Sequence, residues 1–471
     1  MLRWRPVPRA GVARMPPRRG PSRAPQPRGA AIAALVALAI TAAPAPPAGH
    51  AGRPGALTAA ETQALMARIR ATFYVPSPLP PLGIEVRSRF RPAPGVEAER
   101  ITYGTEFGMR VPAILYLPDP APRAMPGLVI VAGHGGDKYS WYSYYAGMLY
   151  ARAGAAVLTY DTIGEGERNA ERKSGANAHD HWLLPEPQMA RRLAGLMLTD
   201  AMQGARVLRH RAGVDPGRIA IAGYSMGSFV ESLACAVDPR FHACVAAGGG
   251  DLDGRGGYWD SHSNKPMCQE IPYRSLDFLG DRGAVLYALQ ASHAASLVFN
   301  GAEDRVVQIP THGAPFFRDL QRRAARLHGG AAGVFEFAFG ANGGHRPWFV
   351  TRPVALWLDA QLRFPNWSPA AIRAMPAVRA ADWARAAGAV LARGAGGERR
   401  EGGTRALAPI AFPALSRAQL SVFAPDAWQR RETALIYEMW VAHAEAAAAQ
   451  PGPRNLPVPP AGGSRSPAPA R

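Results

Sequence analysis

The chain has 471 residues, 48% of them hydrophobic, with 54 Lys and Arg against 35 Asp and Glu, a net charge of +19. That length accommodates one large α/β core with appendages, or two domains. A charge of this size points first to nucleic acid or a membrane surface, but only three of the basic residues are Lys, eight Arg crowd the first 28 residues, and no basic stripe is interleaved with aromatics, so no nucleic-acid partner is expected.

Residues 1–50 read as a targeting segment. An Arg-rich start precedes the apolar run Ala30 to Ala43, which is too short to span a bilayer comfortably, and small residues between Ala43 and Ala51 offer cleavage sites. Export to the periplasm or medium is expected, with no stable membrane span after cleavage; Met15 offers an alternative start, and Arg18-Arg19 is a weak twin-arginine match. Residues 51–99 form an N-terminal helix and linker. Thr58-Ala-Ala-Glu61 is a capping-box pattern, and Leu65, Ile69 and Phe73 follow at helical spacing.

From Arg100 to Pro118 two strands flank a Gly-containing turn. Strand and helix then alternate: strands at 127–132, 155–160, 218–222, 243–247, 296–300 and 334–338, with helices at 144–153, 191–212, 228–237, near 313–328 and 347–363. Such alternation predicts a mostly parallel sheet wrapped by helices, with chemistry at the carboxyl ends of the strands. After Pro365 the strand signal stops. Residues 366–450 carry helical patterns, and 451–471 are Pro/Gly/Ser-rich and read as a disordered tail.

Three strand ends carry the chemistry. The strand Ile219 to Ala222 runs into Gly223-Tyr-Ser-Met-Gly227 and then an apolar helix, the context of a nucleophile elbow. Only Gly fits at 223 and 227, and the N–H of Met226 points where a negative oxygen would form on a group attacked by Ser225. Serine needs a base, and the base needs a third group to hold it. Asp304 follows the strand 296–300 and His345 follows 334–338, giving the order Ser, Asp, His. Asp251, after 243–247, is a rival acid. The loop Gly133-His134-Gly135-Gly136 follows the strand 127–132 and supplies a second oxyanion donor, Gly135. His134, Trp141, Tyr142, Trp259 and His262 are candidate pocket residues, the last two in a long insertion between Asp251 and Ala295.

Cys235, Cys244 and Cys268 have no zinc-ligand spacing, so no metal is expected. Cys235 and Cys244 read as buried, inert thiols, with one disulfide as the alternative in an oxidising compartment.

From about residue 100 to 365 the chain resembles the α/β-hydrolase superfamily, and is most similar to its acetyl xylan esterase and dienelactone-hydrolase-like branch. The segments that carry the resemblance are Gly133-His-Gly-Gly136, Tyr160-Asp-Thr-Ile-Gly-Glu-Gly-Glu-Arg168, Gly223-Tyr-Ser-Met-Gly227, Asn300-Gly-Ala-Glu-Asp304 and Gly344-His345. It implies an α/β-hydrolase fold, to which the sequence itself adds the insertion after the sixth strand and the C-terminal helical extension. It also implies a serine esterase of small-molecule or carbohydrate esters that needs no metal or organic cofactor. Dienelactone hydrolases proper use Cys where this chain has Ser225, and one related family of carbohydrate acetyl esterases has Gln where this chain has Met226. A peptidase of the prolyl-oligopeptidase type shares the elbow and the triad order, but the stretch before the core is too short for that family's propeller. A catalytically dead binding protein would have lost Ser225, Asp304 or His345; all three are present.

Overall fold

The computed structural model describes residues 55–175, 179, 187–250, 267–330, 333–391 and 401–449. The targeting segment, the C-terminal tail, Asp251, Trp259 and His262 lie outside the described residues. Helix α1 (Ala59–Thr72) opens on the expected capping box. The Thr58 hydroxyl accepts the Glu61 N–H at 3.2 Å, and the Glu61 carboxylate accepts the Thr58 N–H at 2.9 Å.

Nine strands form one sheet: β1 (Glu85–Ala93), β2 (Val96–Gly104), β3 (Arg110–Pro118), β4 (Met125–Val131), β5 (Ala156–Tyr160), β6 (Val214–Tyr224), β7 (Ala243–Ala247), β8 (Ala295–Gly301) and β9 (Glu336–Gly340). Their order is β1-β2-β3-β5-β4-β6-β7-β8-β9. Pairing is antiparallel from β1 through β3 to β5 and parallel across the rest. The central strands are apolar throughout because both sheet faces are covered, and successive side chains point to opposite sides. In β6, Ile219 and Ile221 join one core cluster while Ala220 and Ala222 join the other.

One face carries α3 (Pro187–His210), α4 (Met226–Val237), α5 (Met267–Arg274), α6 (Arg282–Ala291) and α7 (Ile309–His328); the other carries α2 (Trp141–Arg152) and α8 (Arg352–Leu362). Leu193, Phe229, Leu233 and Phe317 fill the first cluster, and Tyr145, Leu149, Ala355 and Leu358 the second. Among the described residues no helix is long and apolar enough to cross a membrane.

Three expectations change. Strand β1 has no counterpart in the sequence reading, so the insertion follows the seventh strand, not the sixth. Its segment Glu-Val-Arg-Ser-Arg-Phe-Arg lies at the sheet edge with most side chains in solvent, and so lacks an apolar alternation. The C-terminal extension is not purely helical: β10 (Ala377–Arg379) pairs with β11 (Arg405–Leu407), strands of three residues each. Cys235, in the last turn of α4, is joined to Cys244 in β7 by a disulfide, so these two are not thiols. Cys268 is buried on α5.

Candidate active site

The elbow lies between β6 and α4. Ser225 holds φ 56° and ψ −115°, a backbone region that costs a residue with a Cβ about 1–3 kcal/mol and persists only where its surroundings impose it. They do so here. A Cβ on Gly223 would sit 2.0 Å from the Gly227 carbonyl oxygen, and one on Gly227 would sit 2.3 Å from that of Val131. The Ser225 N–H donates to the Ala247 carbonyl of β7 at 2.9 Å, which pins the turn to the neighbouring strand. Met226 is the first residue of α4, so its N–H belongs to the helix N-terminus, where negative charge is favoured.

Asp304 stands just past β8 and His345 past β9. His345 Nδ1 is 2.8 Å from Asp304 Oδ2, with the carboxylate wholly buried and the imidazole 5% exposed. The second carboxylate oxygen, Oδ1, accepts the N–H groups of Val306 at 3.0 Å and Val307 at 3.4 Å. The two loops are tied together, since the Glu303 N–H donates to the Gly343 carbonyl at 2.8 Å.

A row of aromatic rings links this pair to the loop after β4. The Tyr224 ring lies 5.0 Å from the His345 ring and 5.2 Å from that of Tyr142, and the Tyr142 hydroxyl accepts the Gly133 N–H at 3.1 Å. Gly135 holds φ 74° in this loop, and the Gly136 N–H closes on the Gly133 carbonyl at 2.8 Å. A Cβ on Gly133 would lie 3.3 Å from the Ser225 Cβ, so the loop sits against the elbow.

Trp141 and Tyr142, read from sequence as pocket candidates, are 2% and 4% exposed and belong to the core. Trp141 packs on Tyr145 and Trp383 and donates its indole N–H to Glu401 at 2.7 Å. The physical reason is the C-terminal extension, which covers the face of α2 that would otherwise meet solvent. His134 is half-buried, its ring 5.2 Å from that of His179 in an edge-on arrangement.

Residues with no role in the sequence reading also shape the site. Gly248 holds φ 68°, and a Cβ there would press to 3.0 Å from His345 Cε1. Lys138, two residues after Gly136, is buried against Asp161 and lies 2.9 Å from Glu167 Oε2. Burial works against the ammonium, but the two carboxylates outweigh it and hold the Lys138 pKa above its ordinary range. Thr162 donates to the Gly136 carbonyl at 2.7 Å, so the loop after β5 braces the loop after β4. Asp161, Thr162 and Glu167 all fall in the Tyr160–Arg168 segment, whose charged residues beside glycines were the available signal.

A strand-to-helix serine elbow after β6, with an Asp after β8 hydrogen-bonded to a His after β9 on the same mostly parallel sheet, is the arrangement of the α/β-hydrolase fold. Residues 82–248 match the family model described as Acetyl xylan esterase (AXE1), and residues 187–345 match that of the Prolyl oligopeptidase family. Among curated proteins the chain is similar to Hydrolase ORFZ of Pyricularia oryzae, 31% identical over 161 residues, which are 33% of each chain. The chain thus spans about a third of the length of that relative. Similar solved structures include an acetyl xylan esterase from a Paenibacillus species (18% identity, 66% of this chain and 97% of that one, TM-score 0.46). Another is acetyl xylan esterase 1 from a Thermoanaerobacterium species (16% identity, 66% and 100%, TM-score 0.44).

Proposed function

We propose that the protein is an exported serine hydrolase of carboxylic esters, working through an acyl-enzyme on Ser225, with short acyl esters, acetyl esters of carbohydrates among them, as substrates. The observation that carries this reading is the Asp304–His345 hydrogen bond on the sheet edge that also bears the strained Ser225. With Nδ1 of His345 engaged by Asp304, Nε2 is left as the base. Ser225 Oγ attacks the ester carbonyl carbon as its proton passes to Nε2, and the resulting oxyanion is met by the N–H groups of Met226 and Gly135. The intermediate collapses by expelling the alcohol, which takes the proton from His345. Water then repeats the sequence on the acyl-enzyme and releases the acid.

The match of residues 82–248 to the acetyl xylan esterase model favours ester substrates, and the short acyl preference rests on that similarity. The match of residues 187–345 to the prolyl oligopeptidase model supports a second reading, a peptidase, because it covers the elbow and the His345 loop. Export is supported by the N-terminal Arg-rich and apolar runs and by the Cys235–Cys244 disulfide, a bond that persists in oxidising compartments.

The test is a panel of p-nitrophenyl esters from acetyl to long-chain acyl, acetylated sugars and prolyl peptides, run beside a fluorophosphonate probe. Labelling of Ser225 with preferred turnover of the acetyl esters is expected. Absence of labelling would leave a binding protein on this scaffold, and a preference for peptides would make the second reading correct. N-terminal sequencing of mature protein is expected to begin near residues 44–52; an intact N-terminus on cytoplasmic protein would overturn export.

A further inference from the structure

We propose that His134, His179 and Cys268 bind one divalent transition-metal ion, zinc in the first instance, beside the oxyanion loop. Each contributes one ligand atom, and these atoms all lie within 4.8 Å of one another. Zinc–nitrogen and zinc–sulfur bonds of about 2.0 and 2.3 Å place tetrahedral ligand atoms roughly 3.3–3.7 Å apart. Ion binding would have to draw the three ligand atoms from within 4.8 Å of one another to that separation.

The donor set has the right chemistry. Two imidazoles and a thiolate are of the borderline-soft kind that zinc selects, whereas the oxygen ligands that calcium and magnesium need do not occur in the cluster. Cys268 is 1% exposed and His179 wholly buried, so an ion held there is shielded from bulk water. His179 is also positioned from outside: its carbonyl accepts the Tyr437 hydroxyl at 3.2 Å, and the Tyr437 ring packs against its own at 6.3 Å. These contacts fix the His179 backbone and one side of its ring. Three protein ligands leave a fourth position for water or a small anion.

The second group of this kind, Glu231, Cys235 and Cys244, offers a useful contrast. There the two sulfurs are bonded to each other, so neither is available as a thiolate. Cys268 is the cysteine outside the disulfide. Ion binding would deprotonate it and release the proton to solvent. Structurally, the ion would tie the loop after β4 to α5 of the insertion, two segments 134 residues apart in the chain.

The experiment uses untagged full-length protein, loaded with cobalt(II) after chelation and dialysis. One equivalent per chain is expected, with the near-ultraviolet thiolate-to-cobalt charge-transfer band of a sulfur ligand. Cys268→Ser is expected to lose that band, and His179→Gln to weaken zinc binding by about tenfold or more. Lack of stoichiometric uptake by the wild type, or an unchanged band in Cys268→Ser, would overturn the proposal. Should either variant fail to fold, the wild type still decides: zinc is expected to slow alkylation of the Cys268 thiol at least about tenfold, and an unchanged rate rejects the site. None of these readouts depends on turnover, so a failure here is distinct from a failure of the esterase reading, which the fluorophosphonate probe reports.

Discussion

Glu167 Oε2 lies 2.9 Å from Lys138 Nζ with both side chains removed from solvent, and the same carboxylate receives the C-terminal extension. Its two oxygens accept the N–H groups of Val422 and Phe423 at 2.9 and 2.8 Å, while its carbonyl accepts the Trp428 indole N–H at 2.8 Å. One acid thus joins Lys138, close after the oxyanion loop, to a segment 255 residues beyond Glu167 itself.

Glu167→Gln removes the charge and leaves the Lys138 ammonium with one buried carboxylate in place of two. Breaking a buried pair from one side costs about 3–5 kcal/mol; retention of Asp161 places the expected loss at the lower end. Denaturant unfolding should show it, together with reduced ester turnover through the loosened loop. Stability and activity both unchanged would mean that Glu167 does not organise this region.

Asp304→Asn is expected to lower turnover by about 10⁴-fold with folding intact, the cost of the same change in a serine protease of another fold. An amide cannot hold His345 in the tautomer that leaves Nε2 basic, although the Val306 and Val307 N–H groups still have an oxygen to meet. Asp251→Asn should be mild by comparison. The reverse ranking, with both variants folded, would make Asp251 the acid.

The Cys235–Cys244 bridge closes a loop with a sequence separation of 9. Its loss in a Cys235→Ala/Cys244→Ala variant should cost about 2–3 kcal/mol on the chain-entropy account, read by denaturant midpoint. Alkylation of denatured, unreduced protein followed by mass spectrometry should modify one cysteine. Three modified cysteines would show that the bridge does not form.

Burial pushes the Glu106 carboxyl up to about 8, with the Thr199 hydroxyl donating to it at 3.0 Å as a smaller opposing effect. The folded protein therefore keeps this proton to higher pH than the unfolded chain does. Its contribution is fully present below pH ~4.5, the ordinary glutamate range, and is lost as pH rises through about 8, at a slope of about 1.4 kcal/mol per pH unit. Glu106→Gln should flatten the fall in stability between pH 5 and 8. An unaltered slope in the variant would remove Glu106 as its source.

The sequence by itself determined the elbow, the order Ser225, Asp304, His345 and the alternation that builds the parallel sheet. All of these rest on local patterns: an apolar strand, a glycine pair with no room for a Cβ, and a polar residue just past a strand end. The sequence pattern places β9 two residues early because Val334 and Phe335, apolar and buried, precede it. The tertiary structure alone decided what depends on distant segments meeting. The aromatic run Trp141–Tyr145 reads equally as pocket or core until Trp383, Leu407 and Phe412 are seen covering it. The pairing of Cys235 with Cys244 and the meeting of His134, His179 and Cys268 leave no spacing signal, because each depends on how helices and loops return to the sheet. Local sequence fixes backbone shape within a few residues, whereas burial and long-range partners exist only once the chain has closed on itself.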